Sequence, residues 1–138
     1  MKVRLDHNKS KYCEAIGIAI GIRNDKTRTS IDLRYEQYGD KEIELLANEL
    51  YNNKTITELN LSNNEISDIG TQYIADMLRN NMTITSIDLS KNQIGDIGAK
   101  YLRDALQNNK TLIMLSLESH QIGDTGAEQL AVALENNE

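Results

Sequence analysis

The chain repeats itself every 28 residues without a gap, and that regularity constrains its fold more than any other feature. Residues 53–80 (NKTITELNLSNNEISDIGTQYIADMLRN) and 81–108 (NMTITSIDLSKNQIGDIGAKYLRDALQN) are identical at fifteen of 28 positions. Residues 109–136 continue in register, and 25–52 follow more loosely. One further step back sets Val3 and Leu5 against Ile31 and Leu33, and Asn8 against Glu36. Residues 1–24 therefore read as a partial, degenerate unit. The 138 residues are read as one domain of five units, 1–24, 25–52, 53–80, 81–108 and 109–136, with no linker or second domain.

Each unit changes its hydrophobic period once. In 53–80, Leu59 and Leu61 alternate with Asn60 and Ser62, which predicts a short strand. A turn rich in Ser and Asn follows. Ile74, Met77 and Leu78 then recur at helical spacing. Asp68, with Asp40, Asp96 and Asp124 at the same place, is expected to cap the start of its own helix. The Asn-Asn pair at 80–81, also at 52–53, 108–109 and 136–137, is expected to end the helix through a left-handed residue. Gly70, Gly98 and Gly126 in the first helical turn predict a close approach of helix and strand.

A strand, a turn and a helix cannot bury a core alone, but stacked units can. Neighbouring strands stand about 4.8 Å apart, whereas packed helices need about 8–10 Å. The stack must therefore curve. The predicted fold is an α/β, right-handed βα superhelix, with a parallel β-sheet on the concave face and helices on the convex face. With no Phe or Trp, the core is left to Leu, Ile, Val, Met and Ala, which suits thin equivalent layers.

The pattern Ile56-xx-Leu59-x-Leu61-xx-Asn64, repeated at Ile84, Ile87, Leu89 and Asn92, resembles the leucine-rich repeat signature. Its continuation through Ile94, Gly95, Asp96, Gly98, Ala99 and Leu102 resembles the ribonuclease-inhibitor-like subclass. That subclass includes the repeats of NOD-like receptors, tropomodulins and Ran GTPase activators. The resemblance implies the solenoid fold and a ladder of asparagines bonding neighbouring coils, here Asn8, Asn64 and Asn92. Glu36 and His120 stand at two ladder positions, and Tyr35, Glu36, Gln37 and Tyr38 predict an irregular turn. No counterpart of the Ran activator's arginine loop fits the gapless period, and ribonuclease binding is not carried over. Fold of this kind does not fix function.

Enzyme constellations are nearly absent, and neither a catalytic site nor a cofactor nor a metal is expected. His7 and His120 fall in the outermost units, too far apart to share a metal. Cys13 aligns with Ile69 and Ile97, which predicts a buried, inert thiol. A single cysteine excludes an internal disulfide. The Asn-x-Thr sequences at Asn53, Asn81 and Asn109 recur with the repeat, which favours a structural role over glycosylation. The stretch 15–22 (AIGIAIGI) is too short to span a membrane. Its Gly17 and Gly21 predict a buried helix with two close contacts. The polar N-terminus lacks a secretory signal, so the expected location is cytoplasmic, or outside by export without a cleavable signal. A net charge of −6 argues against nucleic acid as the partner.

The informative surface is the concave sheet. Its outward positions form columns such as Ser30, Glu58, Ser86, Met114 and Asp32, Asn60, Asp88, Ser116. Lys2, Arg4 and Asp6 would begin such columns in the degenerate unit. Arg34, Tyr35, Glu58, Asn60, Asp88, Met114 and Glu118 are the expected protein-contact residues. Arg34 and Tyr35 would anchor, and the acids would complement a basic segment of the partner. The reading is a non-enzymatic protein-protein interaction module. The alternatives are a regulator or effector acting on a signalling enzyme, and a structural spacer. The last unit has the apolar pattern of an internal repeat. That predicts either a stretch of a longer array or an end-to-end homodimer covering the open ends.

Overall fold

A computed structural model describes residues 7–118 and 121–135. Four three-residue strands are present among them: β1 Ser30–Asp32, β2 Glu58–Asn60, β3 Ser86–Asp88 and β4 Met114–Ser116. They pair in parallel in chain order, with Ser30 opposite Glu58, Glu58 opposite Ser86 and Ser86 opposite Met114. Each step across the sheet is one sequence period. Five helices accompany them: α1 His7–Asn24, α2 Asp40–Leu50, α3 Asp68–Asn80, α4 Asp96–Leu106 and α5 Asp124–Glu135. Each helix packs on the next. The molecule is the α/β leucine-rich-repeat solenoid that the repeat predicts. Leu61 and Leu89 are both buried, on adjacent rungs of one core. Facing them are Ile74, Met77 and Leu78 from α3 and Leu102 and Ala105 from α4.

Two asparagine ladders tie the coils. Asn64 donates to the carbonyls of Leu33 (2.9 Å) and Leu61 (3.0 Å) and accepts from the Tyr38 N–H at 2.9 Å. Asn92 repeats this with Leu61, Leu89 and Ile66. The second ladder is the asparagine at or just past each helix end: Asn81 caps α3, and Asn53 and Asn109 lie two residues beyond the caps of α2 and α4. Asn81 donates to the Leu50 carbonyl at 2.7 Å and accepts from the N–H groups of Thr83 and Ile84. Asn109 does the same with Leu78, Thr111 and Leu112. Asn53, Asn81 and Asn109 are all buried, which seals the three Asn-x-Thr sites inside the fold. Asn81 is extended (φ −73°, ψ 118°), so the expected left-handed helix end is not what stops α3. The side-chain bonds redirect the chain instead. The left-handed residues lie after the strands, at Tyr35, Asn63 and Lys91, one per period. Gln37 is an additional one, which makes the turn after β1 irregular as expected.

The aspartates correct a second expectation. Asp40, Asp68 and Asp96 are the first helical residues, and the caps are Gly39, Ser67 and Gly95. Each carboxylate reaches forward to the following coil. Asp40 accepts from the N–H groups of Ser67 and Gly70, both at 2.9 Å, and from the Ser67 hydroxyl. Asp68 accepts from Gly95 (2.8 Å) and Gly98 (2.9 Å), and Asp96 from Gly123 (2.8 Å). A Cβ at Gly98 would lie 2.6 Å from both Asp68 Oδ1 and Ile94 Cγ2. The glycines thus admit the preceding coil's carboxylate, and not only their own strand. Coil 25–52 has no such aspartate before it. There Glu42, at the place of Gly70 and Gly98, accepts from the Gly39 N–H at 2.9 Å and does the work locally.

The N-terminal unit departs most from expectation. Residue 8 lies in a helix that begins at His7, not in the turn that the alignment predicts, and its side chain lies outside the described residues. Ala15, Ala19 and Ile22 form the buried stripe of α1, while Ile16 and Ile20 are exposed. Gly17 and Gly21 have open space where a Cβ would be, so they make no close contact. Cys13 is exposed, not buried. Its counterparts Ile69 and Ile97 are themselves 59% exposed. The alignment was right about equivalence and wrong about burial, because this first-turn position faces outward in α3 and α4 too. The expected strand around Val3 and Leu5, Lys2, Arg4 and Asp6, the His7 side chain, His120 and 136–138 lie outside the described residues.

Candidate functional site

The sheet orients its outward residues by a bond that recurs at the ends of β1, β2 and β3. Asp32, Asn60 and Asp88 each accept, through Oδ1, the N–H of the residue two positions on: Arg34 (3.2 Å), Ser62 (3.0 Å) and Ser90 (2.9 Å). Asp and Asn both supply that acceptor, so the column tolerates a change of charge without a change of shape. Between these side chains and their neighbours Ser30, Glu58, Ser86 and Met114 runs an open trough of about 370 Å³. It brings together four of the expected contact residues: Glu58, Asn60, Asp88 and Met114. Arg34, Tyr35 and Glu118 lie beyond the strands and do not line it.

Arg34 is not a free anchor. Its guanidinium grips Asp32, with Nε 2.9 Å from Oδ1 and Nη2 2.6 Å from Oδ2. That bond holds the Asp32 carboxyl below the usual carboxylate range. The pair is internally neutral. Tyr35 is 70% exposed and stands on a left-handed residue (φ 60°), matching Asn63 and Lys91. Asn60 is half-buried and folded back on Ser62, whose hydroxyl it also accepts at 2.8 Å. Glu58, Asp88 and Glu118 make no ion pair among the described residues. What the face offers chemically is therefore three carboxylates outside any direct ion pair among the described residues, Asp88 within electrostatic reach of Arg34, with one thioether beside them.

A second feature follows from the apolar pattern of the last unit, although its Ile113 escaped the sequence reading. Leu106, Leu112, Leu115, Leu117, Leu130 and Leu134 line an apolar trough of about 390 Å³ on the outer side of β4. Ile113 and Met114 also border it. Ile113 is 85% and Met114 58% exposed. The signal was available in the repeat register, where Ile113 stands at the place of Thr29, Thr57 and Thr85.

No group of three or more His, Cys, Asp or Glu among the described residues could hold a metal ion. No helix among them is long and apolar enough to cross a membrane.

The profile of the family described as Leucine Rich repeat matches residues 52–75, 80–102 and 108–131, just over half of the chain. Comparison with curated proteins returns no match. Among solved structures, one titled Leiomodin-1 Actin-Binding Site 2 (ABS2) superposes with a TM-score of 0.77 at 23% identity, covering 97% of this chain and 76% of that one. The tropomodulin C-terminal domain from Caenorhabditis elegans gives a TM-score of 0.59 at 13% identity, with coverage of 90% and 93%.

Proposed function

The chain belongs to the leucine-rich repeat family, and on that premise we propose that it is a non-enzymatic protein-interaction module whose concave sheet takes a basic segment of a protein partner. The observation that carries this is the set of carboxylates outside direct ion pairs, Glu58 and Asp88 on the sheet and Glu118 just beyond β4. Opposite charge steers and orients an encounter more than it strengthens it. With Arg34 occupied by Asp32, the acids set the sign of the face, and Tyr35, Asn60 and Met114 supply shape and apolar area beside them. Leiomodin-1 ABS2 is an actin-binding site by its title, which makes actin the first protein to try.

The test is titration of the isotope-labelled protein with a short Lys/Ser peptide, followed by amide NMR, on the wild type and on E58K/D88N. Asn60 already makes the bond that Asp88 makes, so D88N keeps the Ser90 contact. Shifts confined to β2, β3 and the turn after β4, weakened severalfold in the variant and by added salt, are the expected result. Shifts on the convex helices, or an unchanged variant, overturn the assignment.

An end-to-end homodimer is the second reading, favoured by the apolar trough beside β4. It explains why leucines there are open, but not why Ile113 and Met114 depart from the other coils.

A further inference from the structure

The second residue of each full coil stands at the tip of the same turn. Lys26, Lys54, Met82 and Lys110 each lie between an Asp or Asn and a threonine, and the Oδ1 of the former accepts the N–H of the latter. Asp25 accepts from Thr27 (2.9 Å), Asn53 from Thr55 (3.0 Å), and Asn81 and Asn109 from Thr83 and Thr111 (both 2.8 Å). Asn53, Asn81 and Asn109 are buried, so those turns are fixed from inside. All four tips are exposed, including those of the coils 53–80 and 81–108 that have a coil on either side. Their exposure therefore owes nothing to the ends of the stack. They form a row along the solenoid, Lys-Lys-Met-Lys, one residue per coil.

Charge is segregated to this edge. The turns from helix to strand, 25–29, 51–57, 81–85 and 107–113, hold the cations Lys26, Arg28, Lys54 and Lys110 against one carboxylate, Asp25. Asp25 accepts from the Thr27 N–H and hydroxyl and lies within electrostatic reach of Arg28. The three lysines of the row make no ion pair among the described residues. The arginines near the helix ends are each neutralised, Arg23 by Glu49, Arg79 by Asp76 and Arg103 by Asp104. Lys26 and Lys54 on adjacent coils repel one another, and no contact among the described residues offsets that. Met82 is 48% exposed, with its Sδ 3.6 Å from Thr111 Oγ1, on the side of the Lys110 coil.

From this we infer that the helix-to-strand edge is a docking surface for an extended acidic segment of a partner protein, separate from the concave sheet and independent of the reading given to it. The register sets the segment's pattern. The turns lie between strands about 4.8 Å apart and helices about 8–10 Å apart. Alternate side chains of an extended chain stand about 6.6 Å apart, within that interval. One alternate residue therefore meets each coil: an acid at Lys26 and at Lys54, an apolar residue at Met82 and an acid at Lys110. Met82 also selects the class of partner. A nucleic-acid strand presents a phosphate at every step, with nothing to set against the thioether. A bilayer engages cations spread over a plane, whereas these form a single row.

The probe is the end-blocked peptide Glu-Thr-Glu-Thr-Leu-Thr-Glu, compared by amide NMR titration with Glu-Glu-Glu-Leu-Thr-Thr-Thr, which has the same composition out of register. The variants are K54Q/K110Q and, as a control for net charge, K41Q/K100Q, whose lysines are exposed elsewhere. The alternating peptide is expected to shift the amides of residues 26–28, 54–56 and 110–112. It is expected to bind about fivefold more weakly to K54Q/K110Q and unchanged to K41Q/K100Q. Equal loss in the two variants, or equal binding of the two peptides, reduces the attraction to diffuse charge and overturns the inference. Absence of binding, or shifts away from this edge, overturns it as well. Binding of phosphatidylcholine vesicles containing phosphatidylserine, or of an oligothymidylate, that K54Q/K110Q abolishes while the peptide fails to bind shows another class of occupant and overturns it. The concave-face reading is tested separately, by its own basic peptide.

Discussion

At the scale of single residues, glycines in similar helices carry opposite expectations. Gly98 admits the Asp68 carboxylate, and a Cβ there would sit 2.6 Å from it. G98A is expected to destabilise by about 1–3 kcal/mol in urea unfolding, the usual range for overpacking. G17A, where nothing lies within 4 Å, is expected to stabilise by about 0.5–1 kcal/mol in the same assay. Cys13 is exposed, so it should react with a thiol reagent in the native protein without a denaturant lag. Tyr38 replaces the isoleucine of Ile66 and Ile94. Burial, and then the Glu36 carboxylate, push its phenol from 10.0 up to about 12. The folded protein therefore keeps a proton that the unfolded chain gives up near pH 10. The resulting stability is whole below about pH 10 and is lost as pH rises toward 12. Y38F is expected to flatten that alkaline limb in a pH series of urea midpoints. Residue identities were legible as column members; exposure was not. Cys13 matched Ile69 in sequence, but nothing in the sequence said that Ile69 itself faces out.

Elements were the most legible level. Alternation at Leu59 and Leu61 and helical spacing from Ile74 to Leu78 placed β2 and α3, because burial of one side imposes those periods. The connections between elements were less legible, since a hydrogen bond to another coil leaves no local signature. Asp68 looks like the cap of α3 in sequence and serves the start of α4 in space. The asparagine that follows each helix shows the same effect. Asn81 joins two coils, whereas Nδ2 of Asn53, one coil earlier, is buried with no partner. N81A removes four hydrogen bonds to the backbone, of which the Leu50 carbonyl alone keeps another donor, the Asn53 N–H, and is expected to destabilise by about 3 kcal/mol. N53A should be milder by about 1 kcal/mol, and paired urea titrations compare the two.

Across the whole molecule, burial is graded. Ile87, Leu89 and Leu102 are fully enclosed in the middle of the stack, while Leu115, Leu117 and Leu130 are only partly covered. Each coil draws stability from its neighbours, so local opening follows that gradient. Amides of β4 and α5 are expected to exchange faster than those of β3, α3 and α4 in native-state hydrogen exchange, and uniform protection would contradict this. The forward-reaching aspartates add a direction to the stack. The starts of α3 and α4 are completed by a carboxylate of the coil before, while α2 draws on its own Glu42. During synthesis from the N-terminus, the carboxylate is already in place when the amides that need it leave the ribosome. The solenoid is thus a template that each arriving turn reads and then extends.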